Sequence, residues 1–198
     1  MDEQSLSESV IQAAIAGDRG ALDQLWRQSR RWVGAILLAH KPREADIEDL
    51  LQVVAMQVCR KISMVHEPKA FKSWLRTVAI NVAREEGRKV NRCKRSMIGL
   101  TGMVRIRQNQ KDLESGDAIM TDWDESQCVF QAVMSLPLGY REPVLLRCMR
   151  SMSYQQIGEV LDLPVTTIET RLARGRKMLK EILAHQDSEH KNLLCSKM

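Results

Sequence analysis

The sequence predicts an all-α protein built as two small helical units joined by a linker. Three observations carry that expectation. Apolar residues recur at three- and four-residue spacing almost throughout the 198 residues. Extended alternation of period two is absent and aromatic residues are only 4% of the chain, which argues against a sheet. The helical pattern then fails once, over residues 96–125, where Gly99, Gly102 and Gly116 fall among scattered apolar residues. Charge changes sign across the same stretch. Residues 84–111 hold nine Lys or Arg against two Glu, and residues 112–126 hold six Asp or Glu and no cation. The units are therefore residues 1–95 and 126–184, with 96–125 as a flexible linker and 185–198 as a polar tail expected to fray.

In the first unit, Ser5 to Glu8 can cap a helix carrying Val10, Ile11, Ala14 and Ile15, closed by Gly17. A second helix runs from about Gly20 to Ala39 with Leu22, Leu25, Trp26, Trp32, Val33, Ile36 and Leu37 on its apolar stripe, and Pro42 lies in the break. A third starts near Glu44, acidic in its first turn as the helix dipole favours, and turns Ile47, Leu50, Leu51, Val54, Val58 and Ile62 inward. A loop with Pro68 precedes a fourth, from about Ala70 to Arg92, with Phe71, Trp74, Leu75, Val78 and Val82 inward. In the second unit a helix from about Glu125 carries Val129, Phe130, Val133 and Leu136. After a Leu-Pro-Leu-Gly break another carries Val144, Leu145, Leu146 and Met149.

Residues Ser153 to Lys180 end the second unit as two helices and a tight turn. Ser153 and Gln156 have capping-box spacing, Ile157, Val160 and Leu161 form one apolar face, and Asp162, Leu163 and Pro164 break the helix. The next helix turns Ile168, Leu172 and Leu179 inward, with small Gly175 between them, and leaves Glu169, Thr170, Ala173, Arg174 and Lys177 outward. Residues 171–180 hold five Lys or Arg and no acid. A short helix, a turn and a cationic second helix can place that helix in a DNA major groove, although a basic face can also be merely solvated. The net charge of +5, clustered as it is, favours a polyanionic partner.

Other chemistries find no support. Neither unit has paired carboxylates, a Ser/His/Asp set or a glycine-rich phosphate loop, so no enzyme and no cofactor is expected. Cys59, Cys93, Cys128, Cys148 and Cys195 form no CxxC, His40, His66, His185 and His190 stand at no ligand spacing, and the thiols are expected buried or inert, with no metal. The acidic, polar MDEQSLSES opening does not read as a signal peptide, and no apolar run is long enough to span a membrane.

Two surfaces of the first unit have a chemical reading. On the third helix Asp46, Glu48, Asp49 and Gln52 lie off the apolar stripe, an acidic and amide face that can dock on a basic partner or simply keep the helix soluble. On the fourth, Lys72, Arg76, Arg84, Arg88, Lys89, Arg92, Lys94 and Arg95 accumulate toward the C-terminal end, with Asn81 among apolar neighbours. The loop 64–70, which includes Lys69, lies just upstream. Cations, an amide and the aromatics Phe71 and Trp74 suit an unwinding nucleic acid, while the spacing of the two aromatics also suits the core.

In this order the pieces resemble the small two-domain sigma factors of bacterial RNA polymerase, the extracytoplasmic-function (ECF) group of the sigma-70 family. DIEDLLQVVAMQVCRKI at 46–62 resembles the helix that binds core polymerase. FKSWLRTVAINVAREEGRK at 71–89 resembles the helix that melts the promoter and reads its minus-ten element. SLPLGYREPVLLRCMRSMSYQQIGEVLDLPVTTIETRLARGRKML at 135–179 resembles the minus-thirty-five-reading domain. The resemblance covers about 160 residues. It implies a dissociable initiation subunit that works in the bacterial cytoplasm with core RNA polymerase and promoter DNA, and it leaves room for an anti-sigma factor. Residue by residue, it implies polymerase contacts at Asp46, Glu48, Asp49 and Gln52. It implies minus-ten contacts at Lys69, Phe71, Trp74, Asn81, Arg84, Arg88 and Lys89, and minus-thirty-five contacts at Thr166, Thr167, Glu169, Thr170, Arg171, Ala173, Arg174 and Lys177.

The sequence departs from the family pattern at several positions. Val53 stands where an acid is usual, Cys59 where an aromatic is, Gly87 where an apolar residue is, Ser151 where glycine is, and Glu169 where a base is common. Two rival classes share features with it. A LuxR-like regulator has the same C-terminal motif behind an unrelated helical sensor, and an anti-sigma or adaptor protein binds only protein. Residues 46–89 speak against the first and the cationic helix against the second.

Overall fold

The computed structural model describes residues 8–100, 120–150 and 152–195, with side chains described over 8–93, 127–148 and 152–185. Eight α-helices and two short 3-10 turns make up the described residues, with no strand among them. The helices are α1 (Glu8–Ile15), α2 (Arg19–His40), α3 (Ile47–Lys61), α4 (Phe71–Leu100), α5 (Met120–Ser135), α6 (Leu138–Arg150), α7 (Tyr154–Leu161) and α8 (Val165–Cys195). The 3-10 turns, Ile62–Met64 and Pro68–Ala70, lie between α3 and α4.

Local chemistry sets many of the boundaries. Gly17, at φ +99°, ends α1 in a conformation that favours glycine. Asp18 then caps α2 by accepting from the Ala21 amide at 2.9 Å. Asp46 caps α3 by accepting from the Glu48 and Asp49 amides at 2.7 and 3.2 Å. That helix therefore starts at Ile47, not at Glu44. The Ser5–Glu8 cap falls largely outside the described residues, as does Ser151.

Three helices, α4, α5 and α8, run beyond the ends expected from glycine and polarity. α4 continues to Leu100 and α5 begins at Met120, so helix enters the expected linker from both sides, and residues 101–119 lie outside the described residues. α8 continues through His185 to Cys195, where a fraying tail was expected. One glycine costs a helix only about 1 kcal/mol relative to alanine. No Pro or Gly follows Gly175, so nothing in the sequence stops α8.

The hub is α2, which packs on α1, α3, α4 and α6. Its residues Trp32 to Leu37 and Ala39 are all buried, on every side of the helix. Phe71, Leu75, Ala79, Ile80, Val82 and Ala83 of α4 and Leu50, Leu51, Val54 and Val58 of α3 complete the first unit's core. In the second unit α6, α7 and α8 pack around Leu136, Leu146, Ile157, Val160, Ile168 and Leu172. The buried residues of both units form one continuous cluster, because α2 packs on α6 and α4 on α7.

A polar contact crosses this junction. Glu142 of α6 is 5% exposed. One of its oxygens lies 2.5 Å from His40 Nε2, and Arg76 Nη2 of α4 donates to both at 2.8 and 3.0 Å. Burial pushes this carboxyl up, and the hydrogen bonds and charges of His40 and Arg76 more than offset it, leaving its pKa below the ordinary value. A lowered carboxyl pKa gives stability that is present above the unfolded-state pKa and is lost as pH falls through the folded-state one. Glu142→Gln should therefore cost about 1–3 kcal/mol near neutral pH. The difference between variant and parent should vanish as pH drops below the carboxylate range. Urea unfolding followed by circular dichroism at a series of pH values measures both.

Candidate nucleic-acid and protein interfaces

The helix-turn-helix is built as its residues dictate. Ser153 Oγ accepts from the Gln156 amide at 3.1 Å and the Gln156 side chain accepts from the Ser153 amide at 2.8 Å, a complete capping box. α7 ends at Asp162, which adopts the left-handed conformation at φ 55°. A short polar residue tolerates that region. The Leu163 amide returns to the Gly158 carbonyl at 3.0 Å. The turn is so tight that a Cβ on Gly158 would sit 2.8 Å from the Leu163 carbonyl oxygen. Arg147 donates to the Met152 carbonyl at 2.6 Å and lies over the Tyr154 ring at 5.6 Å, which ties α6 to the entry of the motif.

On α8, Ile168 and Leu172 are buried, while Thr166, Glu169, Thr170, Ala173, Arg174 and Lys177 are exposed together and Thr167 and Arg171 are half-buried. These side chains occupy one face of a long helix, the arrangement that a groove-reading helix needs. A cleft of about 550 Å³ opens beside it, lined by Pro137, Gly139 and Tyr140 from the start of α6 and by Thr166, Thr167, Thr170, Arg171 and Arg174. Thr170 donates its hydroxyl to the Thr166 carbonyl at 2.9 Å, so it faces outward with its methyl group and free lone pairs. Glu169 makes no salt bridge among the described residues. The residues three and four positions on are Leu172 and Ala173, so its helical neighbours offer it no cation.

The fourth helix divides into two parts. Asn81, Arg84, Arg88, Lys89 and Arg92 are exposed along its length, and Lys69 is exposed just before it. Lys89 stays near Glu85 and Glu86 at 3.8 and 3.4 Å, pairs on the surface that constrain it weakly. Phe71 departs from its assigned role. It is wholly buried, with the half-buried Trp74 ring 6.1 Å away, so it is a core residue with no surface to offer a base. Lys72 and Arg76, about two and a half turns and one and a half turns before the exposed stretch, are taken by Glu159 and Glu142 of the other unit.

On α3, Asp49 and Gln52 are exposed, and beside them lie Val53 and Met56, 36% and 45% exposed. An exposed apolar pair next to an acid and an amide suits a protein contact better than the polar face alone. Asp46 spends its carboxylate on the helix cap, and Glu48 pairs with Arg30 of α2. Of the four residues assigned to this face, Asp49 and Gln52 therefore remain unengaged by those two contacts. A second apolar surface went unnoticed in the sequence: Val129 and Phe130 of α5, placed inward by periodicity, are 46% and 43% exposed. Cys59, Cys93, Cys128 and Cys148 are exposed, so of the expectation that the thiols are buried or inert the burial does not hold for these four. Among the described residues no group of His, Cys, Asp and Glu is placed to hold a metal, and no helix is long and apolar enough to cross a membrane.

Comparison with known proteins gives a consistent result. Residues 25–93 match the model of sigma-70 region 2 and residues 126–179 that of sigma-70 region 4. The ECF RNA polymerase sigma-E factor of Haemophilus influenzae is 24% identical over 184 residues, 91% of this chain and 96% of that protein. That of Escherichia coli K12 is 24% identical over 188 residues, 90% of this chain and 95% of that protein. Among solved structures, CnrH in complex with the cytosolic domain of CnrY shares the fold, with a TM-score of 0.60 at 20% identity over 91% of this chain and 99% of that one. The sigma factor RpoE of Bartonella quintana, solved with the anti-sigma factor NepR, has a TM-score of 0.50 at 23% identity, over 84% and 96% of the two chains. The region 2 match in the first unit removes the LuxR-like reading, in which that half would be unrelated. With region 2 and region 4 in order, and a chain nearly coextensive with its relatives, this protein belongs to the sigma-70 family and is an ECF RNA polymerase sigma factor.

Proposed function

We propose that this sigma factor binds core RNA polymerase through Asp49, Gln52, Val53 and Met56 of α3 and reads the upstream promoter element with the exposed face of α8. The observation that carries the reading is that face, on which Glu169, Thr170, Ala173, Arg174 and Lys177 stand together beyond a fully formed helix-turn-helix. In the region 2 unit, Lys69, Trp74 and Asn81 would meet the melted minus-ten element, and Arg84, Arg88 and Lys89 its phosphates. A flipped base loses a few kcal/mol of stacking and pairing that the pocket must offset. The protein supplies recognition and the polymerase the chemistry, so no catalytic residue of its own is assigned. The site of action is the bacterial cytoplasm, and a protein partner that masks the same surfaces, as NepR is paired with its sigma factor, is part of the proposal. The decisive experiment is promoter-specific transcription by core polymerase with this protein added. Core polymerase that starts no more specifically with it than without it would refute the reading.

On the polymerase side, Asp49→Lys combined with Gln52→Ala should weaken core binding by more than about 1 kcal/mol with helicity intact. Normal binding by that variant, in a fluorescence titration with core enzyme, would leave the face as solvated surface.

On the DNA side, Arg174 can pair with the O6 and N7 of guanine and Ala173 can touch a thymine methyl, whereas the Glu169 carboxylate can only accept, which fits the amino group of cytosine. Glu169→Arg should change the preferred upstream sequence, shifting discrimination at one base pair by about 1–3 kcal/mol. Lys177→Ala should weaken all sequences alike and reduce the salt dependence by about one unit. Selection from a promoter library reads both, and an unchanged consensus for Glu169→Arg would leave specificity with Thr170, Ala173 and Arg174.

A further inference from the structure

The junction between region 2 and region 4 has a chemistry unlike the cores on either side. At its centre lies Glu142, a buried carboxylate between Arg141 and the buried Val144, Leu145 and Leu146. Region 2 meets it with two side chains from different helices, His40 from the end of α2 and Arg76 from α4. Because an ionised carboxylate has no proton, His40 Nε2 must carry the one that lies between them. Two further contacts flank the centre. Arg141 Nη1 donates to the Ala39 carbonyl at 2.9 Å, satisfying from the other unit a carbonyl in the last turn of α2. Lys72 Nζ meets Glu159 of α7 at 2.5 Å.

We propose that Glu142 is an intramolecular latch: clasped by His40 and Arg76, it holds the two units in a closed arrangement that must open before both can engage a promoter. The inference rests on the sigma-factor reading given above, and two arguments support it. The first is occupancy. Lys72 and Arg76 belong to the helix on which Arg84, Arg88 and Arg92 stand exposed, yet here two carboxylates of region 4 sit on them as phosphates would. The second is reach. The minus-ten and minus-thirty-five elements lie about 25 base pairs apart, about 85 Å along B-form DNA. A compact chain of 198 residues has a radius of gyration of only about 16 Å. A closed molecule cannot touch both elements at once, although its α8 face is already exposed.

The latch is also built to give way. The Nε of Arg76 is buried with no acceptor among the described residues, an unmet donor that opening would return to water. An ion pair at a junction gains little net stability over its hydrated parts, so separation rehydrates three polar groups, and the cost of opening lies in the apolar contacts of α2 with α6 and of α4 with α7. Polymerase that binds only the open form then shifts the equilibrium by mass action.

The test uses the full-length chain, first without DNA or polymerase. Small-angle scattering and circular dichroism are compared for the parent, Glu142→Gln and Arg76→Gln. Both variants should keep the parent's helix content, show a larger radius of gyration, and bind core polymerase at least about fivefold more tightly because the closed state no longer competes. An unchanged radius in both variants would overturn the latch. Expansion without a gain in core affinity would overturn it too, since closure would then compete with nothing. Loss of helix in both would assign the cluster to folding instead. Failure of the underlying reading looks different: the parent would direct no promoter-specific transcription, whatever its radius.

Discussion

From Trp32 to Leu37 and again at Ala39, α2 has no side facing water, and much of the architecture follows from covering it. A helix that is apolar all round must be enclosed by its neighbours. α1, α3 and α4 enclose α2 from within the first unit, and α6 of region 4 adds a further neighbour. The end of α2 is where the arrangement turns polar, with Arg141 on the Ala39 carbonyl and Glu142 on His40. Two domains that could be separate beads on a linker are thus joined by an apolar cluster with an ionic centre. Its apolar part favours closure without direction, and its ionic part fixes the register, since a misplaced carboxylate there would be buried without a partner.

The helix-turn-helix was legible almost residue by residue, because everything that specifies it is local. The capping box, the break at Asp162, the buried Ile168 and Leu172 and the exposed face of α8 all follow from residue types and spacings within a few turns. The closed junction was not legible. Glu142 lies 66 residues from Arg76 and 102 from His40 in sequence, and no periodicity relates positions so far apart. One signal was present and unused: the run WVGAILLA at 32–39 is apolar on every helical side, more than a region 2 unit with a solvated face needs. Phe71 was misassigned for the opposite reason. Its spacing to Trp74 points to the core, while its place among cations near a loop and the family's pattern both point toward DNA. Asp46 reads as surface charge by composition, but its position one residue before α3 makes it the cap.

The two units are not equally ready for DNA. Region 4 presents a finished surface, its turn held by backbone bonds and its reading face open. In region 2 Arg84, Arg88 and Arg92 are exposed, while Lys72 and Arg76 are engaged by carboxylates of region 4. Phe71 is sealed in the core beneath them. That asymmetry suits a protein whose duplex-reading end can be preformed. On the proposed reading, the end that meets the melted element gains nothing from binding indiscriminately to any polyanion.

Glu169 carries the same logic onto the reading face. If α8 reads DNA as proposed, an acid placed among Arg171, Arg174 and Lys177 lowers attraction for every phosphate nearby and weakens binding to DNA in general. No cation at helical spacing neutralises it, and none of the described salt bridges includes it. Such a residue is a net cost unless the correct sequence supplies a donor that offsets the repulsion. A carboxylate that penalises all sequences and is compensated by one raises the difference between right and wrong sites without raising affinity, which is the quantity that selectivity depends on.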